Sequence, residues 1–105
     1  MNETHRYIKV EKPGAPDVMQ LAEGPRPLPG PNEVLIKVTA AGVNRPDVLQ
    51  RMGVYPPPPG ASPVLGLEVA GTVIAIGSAV SEWRGGDAVC ALTPGGGYAE
   101  HCVAP

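Results

Sequence analysis

The chain has 105 residues and a nearly balanced charge, with 8 Lys and Arg against 10 Asp and Glu. This length fits one domain able to bury roughly two thirds of its unfolded surface, and the scattered basic residues exclude a nucleic-acid surface. No apolar run approaches the ~20 residues of a membrane span and the N-terminus lacks a signal-peptide pattern, so we expect a soluble, cytoplasmic protein.

Gly and Pro contribute 14 residues each, and Val and Ile occur in short runs between them, a composition that favours a mainly β domain. Alternating apolar and polar residues at 7–11 and 18–21, separated by a turn at 12–16, predict an opening hairpin. Residues 24–31 contain four prolines and predict an extended connector that forms no regular ladder.

Residues 33–43 carry the clearest strand pattern, with Val34, Ile36 and Val38 on one face. A short helix over Arg45–Met52 should follow, because Asn44 suits the N-cap and Gly53 suits the position just past the end. Three residues at helical spacing, Val48, Leu49 and Met52, are expected to form its apolar face.

Residues 54–63 read as an exposed polyproline-like loop. Such a run could be a ligand for SH3 or WW domains, but its place between a helix and a core strand disfavours that use. The β-branched stretch at 66–77 then predicts either a buried strand pair or one long bent strand, around which the chain is organised. Gly71 within it marks a bulge or a close approach of another backbone.

Glycine turns at 85–86 and 95–97 each precede a further short strand. Short strands at near-regular spacing, with one short helix, predict a partly open β-barrel. A zinc site built from Cys90, His101 and Cys102 is disfavoured, since adjacent strand residues point to opposite faces. Two reduced, half-buried thiols are the expected state.

The chain lacks the GxSxG, HExxH, P-loop and GxGxxG motifs, so we expect it to bind no dinucleotide phosphate by itself. Polar side chains gather near the predicted barrel mouth: Asn44, Arg45, Asp47, Gln50, Tyr55 and Glu68. Helix capping could be the whole role of Asn44, and Tyr55 could either donate to a bound carbonyl or pack on the prolines.

Five ordered motifs carry a resemblance: GVNRPD at 42–47, GVYPPPPGAS at 53–62, GLEVAGTV at 66–73, GDAV at 86–89 and GYAE at 97–100. Together they resemble the N-terminal half of the medium-chain dehydrogenase/reductase superfamily, and within it the quinone oxidoreductases, especially the p53-inducible branch. The resemblance covers nearly the entire chain. It implies that residues 1–105 form a GroES-like β-barrel, the substrate-side domain of a longer enzyme whose Rossmann half is absent here.

The same resemblance implies a zinc-independent reductase that transfers a hydride from NADPH to a quinone. In zinc-dependent relatives the positions of Asn44 and Leu67 hold Cys and His ligands, and the structural zinc lobe that would lie between Val89 and Tyr98 is missing. An amide and an alkane cannot replace those ligands.

By this analogy Asn44 and Tyr55 are the catalytic residues, Asn44 and Arg45 contact the cofactor, and the substrate pocket is lined by Tyr55, Gln50, Leu67 and Glu68. We expect no metal ligand, no nucleic-acid or membrane partner, a homodimer in the full-length family and little activity without the Rossmann half. Two alternatives stay open: an enoyl or activated-alkene reductase domain, and a free-standing GroES-like binding or assembly module.

Overall fold

The computed structural model describes residues 3–105. Met1 and Asn2, which begin the N-terminal stretch predicted to lack a signal peptide, lie outside the described residues. Residues 3–105 form six strands and one α-helix, in the order β1 Thr4–Val10, β2 Met19–Pro25, β3 Val34–Ala41, α1 Arg45–Met52, β4 Glu68–Ile76, β5 Ala88–Leu92 and β6 His101–Ala104. A short 3₁₀ turn, Pro16–Val18, precedes β2. The prediction of a mainly β fold with one short helix is confirmed.

The strands make two antiparallel sheets that do not close on each other. One sheet has four strands in the order β5-β4-β3-β6, and the other is the β1-β2 ribbon. The segment before β6 connects them, because Tyr98 accepts a backbone hydrogen bond from Ile8 (2.9 Å) and the Glu100 carbonyl accepts one from Val38 (2.8 Å). The result is the expected partly open barrel.

The core lies against the four-stranded sheet. Its buried members share one face: Val34, Ile36, Val69, Val73, Cys102 and Ala104. The predicted inward face of β3 is therefore confirmed at Val34 and Ile36. Strand alternation places Leu35 on the opposite face of β3. This side chain is also fully buried, so other residues of the same chain cover that face.

The stretch at 66–77 is one long strand rather than a strand pair, because β4 pairs with β3 along its whole length. A Cβ on Gly71 would overlap the carbonyl oxygen of Lys37, so this glycine lets the two backbones approach closely, as predicted. The register shifts between Val38 and Ala40. This bulge explains why Val38 and Ala41, three residues apart, both pack on the core.

The proline-rich connector was predicted to start at residue 24, but β2 extends to Pro25, which pairs with Thr4. Strand β2 pairs with β1 on one side only. The missing N–H of Pro25 therefore interrupts a single hydrogen-bond ladder, at the end of that ladder. The next residue resumes the pairing, as Arg26 donates its N–H to the carbonyl of Glu3 (2.8 Å).

Helix α1 has the predicted bounds, with Asn44 at the N-cap and Gly53 in the left-handed conformation that ends it (φ 86°). Its predicted apolar face is wrong in part. Val48 and Leu49 are only half-buried and Met52 is exposed, whereas the one buried side chain of the helix is Asp47. A carboxylate thus occupies the position nearest the core.

Replacing Gly71 by alanine tests the close approach of β3 and β4. Gly71→Ala should lower the free energy of unfolding by about 1–3 kcal/mol or more, because the added methyl forces the central strands apart. Urea unfolding of both variants measures this. Gly85→Ala is the matched control, since the nearest atom to its added Cβ lies 4.0 Å away. Equal stability of the two variants would contradict the close-approach assignment.

Candidate functional site

The first turn of α1 meets the start of β4 through a side-chain hydrogen bond. Asn44 Nδ2 donates to Glu68 Oε1 at 3.2 Å, and the strands below hold the two segments together, because the N–H of Gly42 donates to the Glu68 carbonyl at 2.9 Å. One amide N–H of Asn44 is thereby oriented by a carboxylate. Its second N–H is left to donate to another acceptor.

Gly42 makes this contact sterically possible. A Cβ at that position would overlap the Glu68 carboxylate, so the absence of a side chain lets the carboxylate lie against the backbone between β3 and α1. Packing against Glu68 therefore explains the glycine at position 42, independently of the family resemblance in which this motif takes part.

A second carboxylate, Asp47, lies beneath the helix start and is only 2% exposed. Its Oδ2 accepts hydrogen bonds from the backbone N–H of Asn44 (3.1 Å) and from the Tyr98 hydroxyl (2.9 Å). The bond from Asn44 is the capping contact that an acidic residue at the third helical position supplies. The bond from Tyr98 fastens α1 to the segment before β6.

This pairing perturbs Tyr98. Burial of the ring, and then its bond to Asp47, raise the pKa of Tyr98 to about 12 from the ordinary 10.0. The other oxygen of Asp47, Oδ1, is buried and has no hydrogen-bond partner within residues 3–105. Both hydrogen bonds that hold the Asp47 side chain in place are therefore accepted by its Oδ2 atom.

The remaining predicted site residues are arranged around the same helix. Gln50 donates through Nε2 to the carbonyl of Pro63 (3.2 Å) and so attaches α1 to the proline-rich loop. Arg45 is exposed at the first helical position, and half-buried Leu67 precedes β4. Tyr55 is 42% exposed on the loop after the helix. Within residues 3–105 hydrogen bonds bring together Asn44 and Glu68, but no side-chain hydrogen bond attaches Tyr55 to them.

An open cavity of about 560 Å³ lies next to this arrangement, between β1, β3 and the segment before β6. Ala41, Val43 and Tyr98 line it, so it borders both sides of Gly42 and reaches the partner of Asp47. The predicted pocket residues Gln50, Tyr55, Leu67 and Glu68 do not line this cavity.

The strand order argues against a zinc site built from Cys90, His101 and Cys102. Cys90 lies on β5 and the other two on β6, at opposite edges of the sheet, which are about 14 Å apart at normal strand spacing. Cys90 is an exposed thiol and Cys102 a buried one, so neither is half-buried as predicted.

Across residues 3–105, no helix has the length and apolarity needed to cross a bilayer.

Sequence reasoning missed the link between Asp47 and Tyr98. Asp47 was expected only to lie among the polar side chains near the barrel mouth, and Tyr98 was given no role. The spacing Asn44-x-x-Asp47 was a usable signal, because an acidic side chain three residues after an N-cap belongs to a capping box. Nothing local to Tyr98 indicates its partner, which lies 51 residues away.

A family model described as the alcohol dehydrogenase GroES-like domain matches residues 30–105, which include β3, α1, β4 and the whole candidate site. The chain belongs to this family. The GroES-like fold expected from the motifs is therefore confirmed.

Sequence identity to individual proteins agrees with this family assignment. The chain is 44% identical over 99 residues to a quinone oxidoreductase of Sus scrofa, covering 92% of this chain and 30% of that protein. It is 42% identical over 88 residues to a phenolphthiocerol/phthiocerol polyketide synthase of Mycobacterium tuberculosis, covering 84% of this chain and 4% of that one.

A solved mycobacterial structure complexed with NADPH superposes with a TM-score of 0.83 at 40% identity, covering 96% of this chain and 31% of that one. The chain therefore spans about a third of the length of the quinone oxidoreductase it matches. Its GroES-like domain has quinone oxidoreductases among its homologues, as the motifs predicted.

Tyr98→Phe tests the bond to Asp47. We expect the variant to unfold about 1.5–3 kcal/mol more easily near neutral pH, because a buried carboxylate loses one of its donors. The stabilisation from the raised pKa of Tyr98 is complete below pH 10 and is lost as the pH rises towards 12. The variant should therefore lack the wild-type loss of stability in that alkaline interval.

Urea unfolding at a series of pH values measures both effects. Tyr55→Phe is the matched control, since the Tyr55 hydroxyl makes no hydrogen bond within residues 3–105, and its stability should equal that of the wild type at neutral pH. An identical alkaline decline in Tyr98→Phe and the wild type would contradict the assignment.

Proposed function

We propose that this chain is the substrate-side domain of an NADPH-dependent, zinc-independent quinone oxidoreductase, with residues 1–105 forming one GroES-like unit. The observation that carries the proposal is the Asn44 amide, fixed by Glu68 at the mouth of a domain whose homologues include quinone oxidoreductases. The proposal includes a Rossmann domain as the partner of this unit, a cytoplasmic location and a homodimeric enzyme.

Asn44 would position the substrate. Its amide has one N–H bonded to Glu68, which sets the plane of the group, and the second N–H would donate to one quinone carbonyl. Such a donor stabilises negative charge as it develops on the oxygen during reduction. Glu68 is then a positioning residue, and Gly42 provides the space it needs.

Tyr55 would close the pocket from the exposed loop and donate a hydrogen bond from its hydroxyl to the second carbonyl oxygen of the quinone, where negative charge also develops. Gln50 holds that loop through the Pro63 carbonyl, and Leu67 would supply an apolar wall that excludes water. Arg45, exposed at the helix start, is proposed to contact the cofactor together with Asn44.

The donor set does not fit a catalytic zinc. The positions that hold Cys and His ligands in the zinc-dependent relatives carry an amide already bonded to Glu68 and the alkyl side chain of Leu67. A quinone accepts hydride readily, so activation of its carbonyl by a metal is less necessary than for a simple ketone. The carbonyl is activated by hydrogen bonds in this proposal.

In this proposal the chain contacts only the nicotinamide end of NADPH. The connection from β3 to α1 lacks the glycine-rich phosphate fingerprint, and the Glu68 carboxylate lies against Gly42 where a phosphate would need to approach. The pyrophosphate must therefore be held elsewhere, in the proposed Rossmann domain. NADPH supplies the hydride when bound, and the residues of this chain orient the acceptor and exclude water.

A second candidate function is reduction of an activated alkene conjugated to a carbonyl. It is favoured by the likeness to a polyketide synthase, which shows that this domain type also occurs outside quinone oxidoreductases. The same amide would then hold the carbonyl that activates the alkene.

The 105-residue chain alone should bind no NADPH at up to millimolar concentration, because it offers no site for the pyrophosphate. Fluorescence of the single Trp83 and of the cofactor, followed during a titration, measures this. Saturable micromolar binding would contradict the proposal that the Rossmann domain, and not this chain, binds the pyrophosphate.

A chimera tests the proposed reaction. The chain would replace the matching first third of the Sus scrofa quinone oxidoreductase, to which it is 44% identical. We expect NADPH-dependent quinone reduction that survives removal of metals by a chelator. Asn44→Ala should lower kcat/KM by about tenfold to a hundredfold through loss of one donor to the developing charge, and Tyr55→Phe should also lower it.

Asn32→Ala is the matched control, because Asn32 is exposed just before β3, at the opposite end of that strand from Asn44. Its activity should equal that of the parent chimera. A chimera that binds NADPH but reduces neither quinones nor enones would contradict both candidate functions, and a strong preference for enones would select the second.

A further inference from the structure

Two imidazoles meet where the β1-β2 ribbon faces the four-stranded sheet. His5 lies on β1 and is 8% exposed, and half-buried His101 begins β6. Their ring centroids are 5.5 Å apart with an interplanar angle of 39°. They are the two histidines of the chain, and β1 and β6 bring them together from opposite ends of it.

Neither ring is satisfied. The Nδ1 atoms of His5 and His101 are both buried and have no hydrogen-bond partner within residues 3–105. An unpaired buried polar atom costs about 1–3 kcal/mol, and most such atoms in native proteins have a partner. Two such atoms on neighbouring rings are free to bind a further group.

The ring spacing suits one metal ion. In a complex with Zn–N bonds of about 2.0–2.1 Å, each imidazole centroid lies about 3.2 Å from the ion. A tetrahedral angle at the metal then places two centroids about 5.2 Å apart, and wider angles place them further apart. The observed 5.5 Å falls within this range.

The electrostatic surroundings keep the lone pairs available. Burial lowers the pKa of both His5 and His101, so both rings are neutral at physiological pH. Glu100 is the carboxylate that faces the pair, while Arg26 acts against a positive charge at both rings and Lys37 at His101. This balance of charges is compatible with a cation of moderate affinity.

Space for further ligands lies beside the rings. A cavity of about 270 Å³ is lined by both histidines together with Ser62, Cys102 and Val103. Since one water occupies about 30 Å³ of liquid volume, this cavity can hold the water molecules that complete a coordination shell. Carboxylate ligands do not line it, so a hard cation such as Mg²⁺ is disfavoured.

We propose that His5 and His101 form a two-histidine site for a borderline first-row divalent cation of the Zn²⁺ class, with waters in the adjoining cavity as the remaining ligands. Imidazole nitrogen is a preferred ligand of such ions. The site is separate from the Asn44 and Glu68 arrangement and does not depend on the proposed reductase function.

Zinc titration of the chain, followed by NMR of its imidazole resonances, tests the site. With two histidines in the sequence, each imidazole signal can be assigned by comparison with a single variant. We expect Zn²⁺ at micromolar concentration to perturb both histidines together with one-to-one stoichiometry, and Mg²⁺ to perturb neither. His5→Phe and His101→Phe should each weaken Zn²⁺ binding by about tenfold or more, because each removes half of the protein ligands.

Phenylalanine keeps a planar aromatic ring and removes the unpaired nitrogens, so both variants should fold, which thermal unfolding by circular dichroism checks. Cys90→Ser is the matched control, because this exposed thiol is another zinc ligand candidate, and it should leave the affinity unchanged. Unchanged affinity in either histidine variant, binding lost in Cys90→Ser, or no joint perturbation of the two histidines up to millimolar Zn²⁺ would overturn the proposal. The wild-type NMR titration decides the question even if a variant fails to fold.

Discussion

The pairing of β3 with β4 is the constraint on which the rest of the structure depends. These two strands form the middle of the four-stranded sheet and bury Ile36 against Val73. Their register also sets the candidate site, because Asn44 follows the end of β3 and Glu68 begins β4. The bulge at Thr39 changes which residues face the core, so that Ala41 packs inward and the chain then passes Gly42 beside Glu68. Since a one-residue slip in a strand reverses its faces, loss of this bulge would move Asn44 away from its partner.

The start of α1 concentrates negative charge. Asp47 lies beneath the first turn and Glu68 beside it, and both are placed near the positive end of the helix dipole. The two carboxylates act differently, because Asp47 is buried and attaches the helix to Tyr98, whereas exposed Glu68 orients the Asn44 amide. Their joint presence also makes this helix start unsuitable for a phosphate. In the proposed enzyme, the feature that orients the Asn44 amide would therefore leave the dinucleotide phosphates to the Rossmann domain.

Local patterns determined much of the fold. The helix bounds followed from Asn44 and Gly53, and the close approach at Gly71 followed from a glycine within a β-branched run. The contact between Asn44 and Glu68 was not predictable, since a sequence gives no distance between residues 24 positions apart. The predicted barrel mouth and the family resemblance placed the two residues only in the same region. The apolar face of α1 was misjudged at Met52 because helical periodicity cannot show which side a neighbouring strand covers. The continuation of β2 to Pro25 was missed for a related reason: an edge position tolerates proline, but the sequence does not reveal which strand is at the edge.

Topology decides which potential ligands meet. Cys90, His101 and Cys102 are close in sequence, yet the strand order β5-β4-β3-β6 puts Cys90 at the far edge from the other two. His5 is 96 positions from His101, yet the bond of the ribbon to the segment before β6 brings their rings together. Sequence spacing therefore gave reason only to consider and reject the set of Cys90, His101 and Cys102, and it gave no sign that His5 meets His101. The same dependence on topology holds for the candidate site, because the register of β3 with β4 is what places Asn44 beside Glu68. In the proposed function, the identity of these few side chains then decides that hydrogen bonds, rather than a metal, activate the carbonyl.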